Sequence, residues 1–167
     1  MQPNSLMLKP DDWVPNNPRL PVLIYRTVAA DEGDTAVAIE QLFADNGWTG
    51  LWRNGVYAYH HYHSGAHEVL GIAAGNATLL LGGPNGPNGQ EVVVSAGDVL
   101  VLPAGTGHCR LNASNDFLVI GAYPAGQHAD ICRQAPTRAQ VEHMAALPLP
   151  QTDPVFGKNG PLMGLWG

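Results

Sequence analysis

Between Gly55 and Gly75 the chain reads GVYAYHHYHSGAHEVLGIAAG, and this stretch constrains the fold more than any other. His61 and His63 are one residue apart in a segment of β-favouring Val and Tyr, so on a strand their imidazoles leave the same face. Glu68 follows past the small pair Ser64–Gly65 and can return to the same volume from the neighbouring strand. Imidazole with carboxylate is a donor set suited to a first-row divalent metal.

A second stretch, GDVLVLPAGTGHCRLN, places Pro103, Gly105, His108 and Asn112 at fixed steps after Gly97. The two stretches together resemble the paired motifs of the cupin superfamily, G-x5-H-x-H-x4-E-x6-G and G-x5-P-x-G-x2-H-x3-N. Every fixed position is matched, from Gly55, His61, His63, Glu68 and Gly75 to Gly97, Pro103, Gly105, His108 and Asn112. The resemblance implies an all-β fold, the double-stranded β-helix or jelly-roll barrel. It also implies one divalent transition metal (iron, manganese, nickel or zinc) held by His61, His63, Glu68 and His108.

The rest of the chain agrees with such a barrel. Short β-branched runs, Leu20–Val28, His67–Ala73, Thr78–Leu81, Glu91–Ser95, Val99–Leu102 and Phe117–Ala122, alternate with glycine and proline turns. With 20 Gly and 14 Pro in 167 residues, turns are plentiful, and strands do not alternate with long helices as a parallel sheet requires. The segment GGPNGPNGQ precedes a strand rather than a helix, so it reads as a hairpin tip and not as a phosphate cradle. Asp34 is expected to cap a covering helix over about 34–46, ended by Gly47, with Ile39, Leu42 and Phe43 on one face.

Residues 1–19 read as a proline-broken arm without regular structure, tied down by Trp13. The barrel is expected over 20–125. Residues 126–167 read as an appendage packed on it, with a capped helix from Thr137 to Leu147 and an aperiodic apolar tail. PNNPRLPVLIY, HYHSGAHEVLG and DPVFGKNGPL narrow the resemblance to the YjlB-like bacterial cupins. That family lends a fold and a metal site but no established reaction.

Net charge of −6 counts against nucleic acid and anionic membranes as partners. The absence of a long apolar run and of a basic, apolar leader makes cytoplasm the expected location. A homodimer is expected, because apolar residues near both termini need cover. Cys109 and Cys132 are too few for a disulfide framework, and alternation turns Cys109 away from its neighbour His108.

Around the expected centre, Tyr57 shares parity with His61 and could move a proton; Glu68, if detached from the metal, could do the same. Arg110 shares parity with His108, so it either holds a substrate carboxylate or pairs with an acid at the rim. His60 and His67 should face away, exposed or supporting the ligands from behind; a bend could instead turn His67 inward in place of Glu68. The expected activity is dioxygenation or isomerisation of a small organic molecule. The alternative is a non-catalytic ligand-binding or storage protein.

Overall fold

The described residues, 1–28, 34–84 and 86–167 of a computed structural model, form two antiparallel sheets packed as a jelly roll. The larger sheet runs β1 (Asn4–Leu6), β2 (Val22–Tyr25), β7 (Val99–Leu102), β4 (Glu68–Ala74), β9 (Leu118–Pro124) and β3 (Trp48–Asn54). The smaller runs β6 (Gln90–Ser95), β5 (Asn76–Leu81) and β8 (His108–Ala113). Leu81 faces Gln90 across the β5–β6 hairpin, as the turn-rich tip requires; Asn85 within that tip lies outside the described residues.

Alternation along the strands sends side chains of the larger sheet into two cores. Ile24, Leu70, Ile72 and Leu100 enter the space between the sheets, where they meet Leu79, Leu81 and Val94. Leu23, Tyr25, Val69, Val101 and Ile120 point the other way, onto α1 (Thr35–Asp45) and the C-terminal segment. Glu68 has the parity of Leu70 and Ile72, so the strand that builds the inner core also delivers the carboxylate to the interior.

The covering helix forms as expected. The Asp34 carboxylate accepts from the amides of Ala36 and Val37 at 3.0 and 3.3 Å, and Gly47 leaves the helix at φ +76°. The helix sits directly on Gly71, where a Cβ would lie 2.5 Å from the Ile39 side chain.

Both termini depart from expectation. Asn4–Leu6 is a strand, paired antiparallel with β2, because the edge of that strand has backbone groups free to bond. Further along the arm, the Asn16 side chain donates to the carbonyls of Lys9 and Gly82 and accepts from the Gly107 amide. At the other end, α2 (Arg138–Ala146) starts with the expected Thr137–Gln140 capping box. The tail ends in a short helix, α3 (Pro161–Trp166), opened by proline at its first position. The fully buried Asp153 carboxylate anchors it, accepting from Tyr25 Oη at 2.5 Å and from the amides of Val155, Phe156 and Leu162. Leu162 and Trp166 are buried within the chain itself, which removes part of the reason for expecting a partner subunit. Among the described residues, no helix is long and apolar enough to cross a membrane.

Candidate metal centre

The segment bearing His61 and His63 was expected as a strand. It is instead irregular, joined to its neighbours by single bridges. His61 and His108 exchange backbone hydrogen bonds at 3.2 and 2.9 Å, and Tyr62 does the same with Cys132 at 3.0 and 2.9 Å. These bridges wedge the segment between β8 and the chain around Cys132. Direct opposition of His61 and His108 brings their ring centroids to 4.2 Å.

The turn to Glu68 is held from outside. Asp130 accepts from the amides of Ser64 and Gly65 at 2.6 and 3.1 Å, and from the Ser64 hydroxyl. Gly65 passes so close to the backbone at His128 that a Cβ would fall 2.3 Å from its carbonyl oxygen.

One ligand atom from each of His61, His63 and His108 lies within 4.8 Å of the others, and all three residues are buried. Donors sharing one ion at bond lengths of about 2.0–2.1 Å are about 3–4 Å apart, a spacing that lies within this limit. Nδ1 of His61 contacts the Tyr59 carbonyl at 3.1 Å and Nδ1 of His108 that of Thr106 at 2.9 Å, while Nδ1 of His63 bonds to the Asp130 carbonyl. A carbonyl oxygen only accepts, so each Nδ1 carries a proton and Nε2 is the nitrogen a metal would take, displacing any proton there. Glu68 Oε2 lies 3.0 Å from Nε2 of His63 and 3.5 Å from Nε2 of His108, close enough for an ion pair, yet it makes no hydrogen bond. A buried, unpartnered carboxylate oxygen among imidazole nitrogens fits a divalent cation.

Electrostatics agree. Desolvation, with lesser repulsion from His108, depresses His61 to about 3 and keeps it neutral. Burial opposes charge on His63, but the adjacent Glu68 carboxylate overrides it and lifts its pKa to about 9. Glu68 is itself desolvated, yet His63 and His108 hold it well below the usual carboxylate range.

The cluster forms one wall of a cavity of about 260 Å³, whose other walls include Trp52, Tyr57, Tyr123 and Ile131. Tyr57 does line the cavity, 46% exposed, with its ring stacked on Tyr59 at 4.7 Å. Arg110 does not. It lines a neighbouring groove that shares Asn54, Gly55, Val56 and Tyr57 with the cavity, and its amide donates to the Tyr57 carbonyl at 2.9 Å. Arg110 keeps the parity of His108, opposite Leu79 as His108 is opposite Leu81, but lies one step further along β8 from the cluster. Asn112 pairs with Thr78 on β5 and takes no part in it.

His60 and His67 face away from the cluster but are not exposed. His60 is buried under the N-terminal arm, edge-on to Trp13, with neither ring nitrogen bonded. His67 is buried against Trp166 of the tail and accepts from the Ala104 amide at 2.9 Å, so it is no substitute for Glu68. Both faces that strand alternation turned outward are covered by the terminal segments. Cys109 and Cys132 are buried free thiols.

Two contributions were invisible in the sequence. Asp130 holds His63 through its backbone carbonyl, which no residue type announces. Tyr123 enters the cavity from β9 and accepts from Trp52 Nε1 at 2.9 Å; a tyrosine near the end of an apolar run carries no such signal.

Comparison with known proteins decides the family. The cupin domain model matches residues 49–120. The chain is 37% identical over 160 residues to the uncharacterized protein YjlB of Bacillus subtilis (strain 168), covering 94% of this chain and 93% of that one. The chain is a YjlB-like cupin. Among solved structures, this cupin is similar to acireductone dioxygenase from Bacillus anthracis with cadmium in its active centre. There the identity is 15%, with 65% of this chain and 82% of that chain covered at a TM-score of 0.44. It is also similar to RmlC from Streptococcus suis in complex with dTDP-D-xylose, at 11% identity, 99% and 95% coverage and a TM-score of 0.34.

Proposed function

We propose that this cupin is a metal-dependent enzyme that binds one divalent transition metal through His61, His63, His108 and Glu68 and acts on a small organic molecule. The supporting observation is the convergence of donors: three imidazoles with Nδ1 held by backbone carbonyls and Nε2 turned to one volume, beside a buried carboxylate 3.0 Å from His63. When bound, iron, manganese, nickel or zinc would supply Lewis-acid chemistry, and iron would add chemistry with dioxygen.

The chain's own residues supply the remainder. Backbone carbonyls fix the three imidazoles in orientation. Aromatic and aliphatic walls limit the ligand to one that fits a cavity of about 260 Å³. Tyr57, or Glu68 if it detaches from the metal, would hold or move a proton from the cavity wall. Arg110, in the adjoining groove, can take an anionic end of a ligand that extends past Tyr57. Two reaction classes suit this arrangement, dioxygenation and proton-transfer isomerisation or epimerisation.

The test is metal analysis of untagged protein, followed by oxygen uptake and solvent-proton exchange against small acids, diketones and sugars. Bound metal with either activity supports the proposal and selects the class. Bound metal with neither, across the panel, contradicts catalysis and leaves a ligand-binding or storage protein.

A further inference from the structure

Trp52, Gly121 and Tyr123 form an arrangement that the metal donors do not use. Trp52 on β3 pairs with Gly121 on β9, and the indole occupies the space a side chain would fill: a Cβ at Gly121 would lie 2.0 Å from the ring. Lying across that glycine, the indole reaches the next residue on the same strand face and donates from Nε1 to Tyr123 Oη at 2.9 Å. A phenol oxygen that accepts one hydrogen bond keeps its own proton as a donor. Trp52, Tyr123 and Glu68 all line the cavity, so the phenol stands beside the histidine cluster, with the Glu68 carboxylate as its neighbour. Arg53, the arginine of this cavity, is committed to Glu40 through bonds of 2.6 and 2.9 Å.

We propose that Tyr123 is a ligand-binding residue, donating a hydrogen bond to an acceptor oxygen of the small molecule held beside the histidine cluster, with Trp52 as its positioning residue. This deepens the metal-centre reading and rests on it. The ligand class is a small molecule with a carbonyl, enolate or carboxylate oxygen that meets the phenol on one side and the metal on the other. Gly121 is part of the arrangement, since any side chain there displaces the indole.

The test uses the full chain loaded with cobalt(II), with acetohydroxamate as the oxygen-bearing probe. Cobalt affinity is measured by competition with a chelator, and probe binding by the visible cobalt spectrum. The wild type should bind both. Tyr123→Phe should keep cobalt affinity within about threefold and lose roughly ten- to hundredfold in probe affinity, the worth of one hydrogen bond to a charged acceptor. Trp52→Phe, which removes the indole N–H, should also keep cobalt and weaken the probe by about threefold, a split that a merely structural role would not produce. Should Tyr123→Phe fail to fold, Trp52→Phe decides alone. Cobalt retained with probe affinity unchanged in the folded variants overturns the role of Tyr123 and leaves the metal centre standing; so does a cobalt-loaded wild type that ignores the probe. A wild type that binds no cobalt overturns both.

Discussion

Metal uptake by this site should release one proton near neutral pH, and His63 is its source. In the metal-free site the Glu68 carboxylate, 3.0 Å from Nε2, overrides burial and raises His63 to about 9. His61 is held neutral by burial, which takes it to about 3, and Glu68 is already ionised. The proton on His63 Nε2 therefore stands where the ion belongs and must leave. Each pH unit below about 9 costs about 1.4 kcal/mol, so apparent zinc affinity should rise roughly a hundredfold from about pH 6 to about pH 8 and level off above about pH 9. Calorimetric titration with zinc in buffers of different ionisation enthalpy counts the proton directly. Glu68→Gln removes the charge that retains it, and most of the release at neutral pH should vanish. Flat affinity across this range, with no proton released by the wild type, would refute the coupling of His63 to Glu68.

Three further outcomes are expected. His61→Ala and His108→Ala should each lose the metal, by elemental analysis, while keeping the β-sheet circular dichroism of the parent; full metal content in either would show that the ligand is misassigned. Asp153→Ala removes the acceptor of Tyr25 Oη and three amides at a fully buried position, and should cost about 3 kcal/mol or more in urea unfolding. His67, desolvated to a pKa of about 4 against 6.5 when unfolded, contributes stability that is present above pH 6.5 and lost as pH falls towards 4. The loss should total about 3 kcal/mol, and a His67→Leu variant that still folds should lack this part of the pH dependence in denaturant titrations.

The centre was legible in the sequence because its donors are side chains at fixed spacing. His61, His63, Glu68 and His108 announce themselves by type, and alternation on β4 correctly turned Glu68 inward with Leu70 and Ile72. What failed was alternation carried across irregular backbone. Residues 55–67 form single bridges rather than a ladder, while Arg110 keeps the parity of His108 and lines the next groove. Exposure could not be read from parity at His60 and His67, since Trp13 and Trp166 arrive from the two ends of the chain to cover them. The Asp130 carbonyl and the gap at Gly121 act through backbone and through missing atoms, neither of which residue type reveals.

The convergence of two separated segments on one cation is tested most directly by anomalous diffraction. Crystals grown with manganese, iron, nickel or zinc would be measured on both sides of that metal's absorption edge. One peak per chain, bonded to the Nε2 atoms of His61, His63 and His108 and to a Glu68 oxygen, is the expected result. A peak elsewhere, or none at this cluster with any of the four metals, would contradict it.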